Sequence, residues 1–346
     1  MKQTIKRILG ILLGAAIICA VVVLFYRMRN AGPVDQTKQL PISPPPSEVQ
    51  ADNLLPVEVV SQPPEEPDAA EPPPPEQTTP PNSVSSGEVL KRARRLITEG
   101  QVIQARSLLS ETLYSGQLSD TQSEQAIYDL AAIAEQTIFS PIVYEGDPYA
   151  MKYTILPGQT LSALERRCEL HVPTQLLLKV NNMRDGSQLL AGQTIKLIQG
   201  PFHAVISKGS YTMDIYLQRG NLERVFIKRL KVGLGKDDGT PVGMWKVEPG
   251  KKIRGATWTA PPSSPVSGTF HPGDPQYPLG DAGYWISLIG TEPRTIGYQG
   301  YGLHGTNEPE SIGKSSSLGC IRLGDEDIEL VFSLLYEQWS TVEVRP

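Results

Sequence analysis

Two short runs near the C-terminus decide how this chain is read: Tyr301-Gly302-Leu303-His304-Gly305-Thr306 and Ser317-Leu318-Gly319-Cys320-Ile321-Arg322. Cys320 follows His304 by sixteen positions, and each residue has a glycine beside it. A thiol near an imidazole makes a nucleophile at neutral pH, because the imidazole takes the proton and the sulfur attacks. Glycine lets the backbone come close to a substrate and adopt positive φ. Alone, a histidine is more often a satisfied structural residue and a cysteine a buried thiol. Together in a glycine-rich frame, they point to nucleophilic catalysis.

The residues around this pair read as strands. Ala204-Val205-Ile206-Ser207, Met213-Asp214-Ile215-Tyr216-Leu217, Arg224-Val225-Phe226-Ile227 and Tyr284-Trp285-Ile286-Ser287-Leu288 are short β-branched and aromatic runs between turn signals. Asp325 is placed to cap a helix over about residues 326–336, and residues 341–344 close as a strand. Residues 202–346 should therefore form a mainly-β domain with one or two helices.

The preceding stretch, residues 151–199, reads strand, helix, helix, strand. Tyr153 and Ile155 alternate, and Leu161, Leu164 and Cys168 share a helical face. Leu177, Leu178 and Val180 belong to a second helix, and Ile195 and Leu197 to a closing strand.

The string YGLHGTNEPESIG followed by S-x-GCIR strongly resembles the L,D-transpeptidase (YkuD-type) family of bacterial cell-wall enzymes. Val232-Gly233-Leu234-Gly235, Thr240-Pro241-Val242-Gly243 and the run from Pro272 to Gly280 extend the likeness over most of the domain. The resemblance implies a β-sandwich with its site in a groove. It makes Cys320 the nucleophile and His304 the general base, oriented by the carbonyl of Gly305. Backbone N–H groups of Gly319 and Cys320 would form the oxyanion hole, and Ser317 matches the signature serine. Arg322 would hold a substrate carboxylate, with Tyr301, Gly302 and Thr306 as further substrate contacts. His271 is a candidate second imidazole for the groove. Many members carry a histidine where this chain has Leu318, so His304 must work without a neighbouring imidazole.

The implied reaction is attack of Cys320 on the third-residue carbonyl of a tetrapeptide stem. D-Ala leaves, a thioester forms, and an amine of a second stem resolves it. The resemblance implies no metal or organic cofactor, and no third ligand is spaced to make zinc of His304 and Cys320. Water as the acceptor would instead make an L,D-carboxypeptidase or endopeptidase. A third possibility is a non-catalytic wall-binding scaffold.

Residues 151–199 resemble a LysM module through the Pro157-Gly158-Gln159-Thr160-Leu161 opening, Asn181-Asn182, and the Leu190-Ala191-Gly192-Gln193-Thr194-Ile195 closing. That implies binding of N-acetylglucosamine-containing glycan, with Gly158, Gln159, Thr160 and Asn181 as candidate contacts. Cys168 stands at a core position and is expected to be buried and inert.

Further upstream, residues 85–140 read as helical, with breaks at Gly100 and Gly116 and a cap at Ser119 or Asp120. The spacing suits one tetratricopeptide-like pair plus a third helix, or a small packing bundle. Residues 31–84 are a proline-rich acidic linker: by residue 82 they hold 15 of the 31 prolines and nine acids against Lys38 alone. Such a stretch cannot build a core and acts as an extended spacer. Residues 8–26 are uniformly apolar or small within a basic segment, residues 1–30. As a helix they would span roughly 28 Å, which favours an uncleaved membrane anchor over a signal peptide. The catalytic domain would then face the periplasmic or external side of a bacterial envelope. A net charge of −5 argues against nucleic acid as a partner. The three cysteines are too widely spaced for a disulfide scaffold, although a Cys168–Cys320 bond, which would silence the nucleophile, stays open at this level.

Overall fold

The structure is a computed structural model and describes residues 85–262, 264 and 266–346. The apolar run 8–26 and the linker 31–84 lie outside the described residues. Among the described residues, no helix is long and apolar enough to cross a membrane.

Three helices come first: α1 Ser86–Thr98, α2 Val102–Tyr114 and α3 Asp120–Thr137. Gly100 and Gly116 follow the first two with φ of 77° and 70°, a backbone glycine adopts without strain. Ser119 caps α3 in a reciprocal box with Gln122, which satisfies two otherwise orphaned N–H groups. Apolar faces meet through Leu90, Ala93, Ala105, Leu109, Ile127 and Leu130, and Phe226 of a later strand completes this cluster.

The next unit pairs β1 (Ala150–Thr154) antiparallel with β2 (Thr194–Ile198) around α4 (Leu161–Arg167) and α5 (Thr174–Val180). It is the strand–helix–helix–strand order read from the sequence. Cys168 is the C-cap of α4 and is half-buried against the core rather than fully enclosed. Both it and Cys320 are free thiols, which removes the disulfide possibility.

The remaining strands are β3 Phe202–Ser207, β4 Thr212–Leu217, β5 Val225–Lys231, β6 Leu234–Gly235, β7 Gly243–Ile253, β8 Trp258–Thr259, β9 Thr269–Phe270, β10 Trp285–Gly290, β11 Gly302–His304, β12 Ser315–Ser317, β13 Ile321–Arg322 and β14 Thr341–Arg345, with α6 at Asp325–Leu334. Eight of them form one mixed sheet in the order β13-β11-β10-β7-β14-β3-β4-β5. The expected two-sheet sandwich thus takes the form of one large sheet with small β6–β12 and β8–β9 ribbons. The reason is β14: it pairs parallel with β3 and antiparallel with β7, so it joins the early hairpins and the later strands into a single ladder. Gly324, not Asp325, is the N-cap of α6, and Asp325, Glu326 and Asp327 fill its positive first turn.

These described parts are locked together within one compact unit. β5 is the sheet's edge, and α2 covers part of it: Ser110 Oγ accepts the Phe226 N–H at 3.3 Å. Lys196 of β2 is 1% exposed and donates to the carbonyls of Thr137, the last residue of α3, and of Ser140 and Ile142 beyond it, at 2.6, 2.9 and 2.8 Å. Arg106 of α2 and Asp147 form a fully enclosed two-bond pair at 2.7 and 3.2 Å. Asp147→Ala would leave the guanidinium charge unpaired in the interior, which costs about 3–5 kcal/mol. We expect a marked fall in the urea midpoint of the protein, and an unchanged midpoint would show that the pair contributes nothing.

Candidate active site

The β11 and β13 strands bring the two segments of the sequence motif together, with Cys320 immediately before β13. They pair in parallel with Leu303 opposite Ile321 and His304 opposite Arg322, and Trp285 of β10 lies opposite His304 on the other side. His304 and Cys320 both line a cavity of 510 Å³. A Cβ on Gly302 would sit 2.8 Å from the Trp285 indole, so glycine lets that ring lie along β11. The same indole stacks near the imidazole, with centroids 5.8 Å apart and planes 20° from parallel.

His304 is 6% exposed, and its Nδ1 lies 2.5 Å from the Gly305 carbonyl oxygen. A carbonyl only accepts, so Nδ1 carries the proton and Nε2 keeps its lone pair. Burial lowers the imidazole pKa to about 4, against the raising effect of the Gly305 hydrogen bond. Burial also raises the Cys320 thiol to about 11. At neutral pH the pair therefore rests as neutral imidazole and neutral thiol. The thiol donates to the Gly300 carbonyl at 3.4 Å and is not hydrogen-bonded to His304. Such pairs commonly tighten only with substrate bound.

The turn leading to Cys320 is held at several points. Gly319 has φ 132°. Its N–H donates to Ser317 Oγ at 3.1 Å, and that hydroxyl donates to the Cys320 carbonyl at 2.6 Å. This alters the oxyanion reading. The Gly319 N–H is already engaged, whereas the Cys320 N–H has no acceptor among the described residues. Of the two donors taken from the motif, only Cys320 has its N–H available.

The substrate-contact candidates separate. Tyr301 and Arg322 line the cavity; Gly302 and Thr306 are buried outside its lining. Thr306 instead accepts the Glu308 N–H at 3.0 Å through Oγ1. Arg322 is also not a free cation, since its Nη1 is 2.5 Å from Glu308 Oε2. His271 is exposed, lies outside the cavity lining and is 3.3 Å from Thr257 Oγ1. The β8–β9 ribbon adds Thr257, Trp258, Thr259 and Pro261 to the wall, and Leu318 stands at its rim 44% exposed. Nothing in the local sequence marks the ribbon residues as site residues, because only the fold of the 254–283 stretch brings them over Cys320. Among the described residues, no group of three or more His, Cys, Asp or Glu side chains could hold a metal.

In the βααβ unit, Asn181 is turned inward. Its amide donates to Leu177 O and Lys196 O, each at 2.8 Å, and accepts the Lys196 N–H at 2.7 Å. One of these bonds closes the end of α5 and the other two tie it to β2, so the amide fastens the fold rather than standing open. Gln159 is similarly engaged with the Leu156 N–H and Tyr153 Oη, both at 2.9 Å. Thr160 caps α4 and stays exposed, as does Gly158.

Comparison with known proteins identifies two domains. Residues 201–344 match the model of the L,D-transpeptidase (YkuD) catalytic domain, and residues 153–197 match the LysM domain. The YkuD protein of Bacillus licheniformis is 30% identical over 204 residues, covering 57% of this chain and 99% of its own length. YkuD of Bacillus subtilis is 28% identical over 186 residues, 51% of this chain and 89% of its own. An L,D-transpeptidase structure from Mycobacterium smegmatis superposes with TM-score 0.31 at 12% identity, over 45% of this chain and 64% of its own, too distantly to carry an argument. The chain belongs to the L,D-transpeptidase (YkuD) family. It is an L,D-transpeptidase enzyme that carries a LysM domain.

Proposed function

We propose that this enzyme cross-links peptidoglycan stems through a thioester on Cys320. The observation that carries the reading is the clamped imidazole: the Gly305 carbonyl fixes the proton on Nδ1 and leaves Nε2 as the basic nitrogen of a ring that lines the same cavity as Cys320. In the first half-reaction Nε2 takes the thiol proton as Sγ bonds to the third-residue carbonyl carbon. The Cys320 N–H donates to the oxygen as negative charge develops on it. The C–N bond to D-Ala then breaks, and the imidazolium gives its proton to the departing amine. In the second half-reaction an amine of another stem attacks the thioester and passes its proton to Nε2, and the C–S bond breaks as Nε2 returns that proton to the sulfur.

Incubation with a disaccharide tetrapeptide, read by mass spectrometry, tests this. Cross-linked dimer is the expected product. Tripeptide without dimer would identify water as the acceptor and make the enzyme an L,D-carboxypeptidase, and no turnover would support a scaffold role.

The LysM domain supplies wall affinity, so substrate is concentrated near the cavity. Its exposed Gly158–Thr160 rim is the proposed contact with glycan. Deleting residues 152–198 should lower retention on purified sacculi severalfold, and equal retention of the two proteins would remove the domain from wall binding. We place the enzyme in the bacterial envelope, with residues 8–26 as an inner-membrane anchor and residues 31–84 as the spacer to the wall. The length and apolarity of the first and the proline content of the second support that placement.

A further inference from the structure

Thr240 sits beneath the cysteine turn and belongs to none of the roles described above. It is 1% exposed. Its Oγ1 accepts the Gly235 N–H at 2.8 Å and donates to the Gly319 carbonyl at 2.9 Å. Those partners are 5 and 79 positions away, so the hydroxyl ties the end of β6 to the turn carrying Cys320. The approach is close: a Cβ on Gly235 would lie 2.7 Å from Gly319 Cα, and one on Gly319 would lie 2.8 Å from the Gly239 carbonyl.

The bond to the Gly319 carbonyl has a geometric consequence. The peptide joining Gly319 to Cys320 is planar and trans, so the Cys320 N–H points opposite to that carbonyl. Whatever holds the carbonyl also aims the N–H. Glycine at 319 would otherwise let this plane turn, since its φ and ψ are less restricted than those of other residues. Ser317 fixes the Gly319 N–H and the Cys320 carbonyl, but neither bond reaches the plane between them.

We infer that Thr240 is a positioning residue whose hydroxyl orients the Gly319–Cys320 peptide so that the Cys320 N–H faces the oxyanion of the acylation step. This rests on the proposed role of Cys320, and a comparison of two reagents separates them. Imipenem acylates the thiol by opening its strained lactam through a tetrahedral oxyanion. Iodoacetamide alkylates the same sulfur by displacing iodide and develops no oxyanion. Both need the thiol proton removed, so the ratio of their rates isolates the N–H donor.

For Thr240→Val the ratio of acylation to alkylation rate should fall roughly tenfold to hundredfold, somewhat less than complete loss of an oxyanion donor. Alkylation should stay within about twofold of the unmutated rate, as expected when only the oxyanion donor is disturbed. Thr240→Ser keeps the hydroxyl and should keep the ratio within about threefold, since the same hydrogen bond can form. An unchanged ratio in Thr240→Val would overturn the inference. So would acylation and alkylation falling together, which marks a merely structural role. If Thr240→Val does not fold, Thr240→Ser still decides: a retained ratio supports the inference, and a lowered one assigns the effect to the methyl group and overturns it. Absence of an acyl group on Cys320 in the unmutated protein would overturn the proposed function, and the role of Thr240 with it.

Discussion

Cys320→Ala is expected to abolish acyl-enzyme formation, with no mass increase after incubation with tetrapeptide stem or imipenem. The substitution removes the only sulfur in the cavity lining. The other free thiol of the described residues, Cys168, caps α4 and lies outside that lining. Ser317 cannot take over readily: it is 3% exposed, and its hydroxyl is held by the Gly319 N–H and the Cys320 carbonyl. Folding should be little affected, because the thiol's one hydrogen bond, to Gly300 O, is a weak sulfur contact. A Cys320→Ala protein that still gains the acyl mass would move the nucleophile elsewhere.

His304→Ala should slow acylation near pH 7 by about 10²–10⁴-fold, the usual contribution of a positioned general base. The pH dependence identifies the cause. Unmutated enzyme needs neutral His304, whose pKa is held near 4 by burial, so its rate should be flat through neutral pH and fall only in acid approaching that value. The variant has no base and must wait for the thiol to ionise by itself. Burial holds that thiol near 11, so its rate should climb steadily through alkaline pH. A free thiol would already have levelled off beyond a pKa of roughly 8.5. Acylation rates of both proteins between pH 4 and about 10 make the comparison. A His304→Ala rate near that of the unmutated enzyme at pH 7 would remove the imidazole from the mechanism, and a pH-independent deficit would mean the residue acts by packing against Trp285 instead.

The reading of the chain succeeded where information was local. Ser119, one of the two cap candidates for α3, does cap it, because its hydroxyl needs only the N–H three residues on; the return bond from Gln122 was not anticipated. The four-element order of residues 151–199 followed from apolar spacing. The proposed nucleophile and base stand out in the sequence as a glycine-framed cysteine and histidine, and the structure places both in the lining of one cavity. Reading failed where a group's partners are distant. Asn181 looked like an open glycan contact, yet its amide is consumed by Lys196, fifteen positions away in β2. Arg322 looked like a free cation for a carboxylate, yet Glu308 reaches it from the intervening loop.

The sequence by itself determined which residues can do chemistry and which segments are helix or strand, since side-chain identity and periodicity belong to the chain before it folds. Tertiary structure alone decided which hydrogen-bonding groups remain available. The Gly319 N–H is taken by Ser317 and the Cys320 N–H is left without an acceptor. Thr240 meets the cysteine turn only because β6 and β12 pair in parallel. Phe226 closes the helical core only because β5 is the edge of the sheet. A hydrogen bond is settled by distances of a fraction of an ångström between groups far apart in the chain, and such distances exist only after the backbone has been brought together.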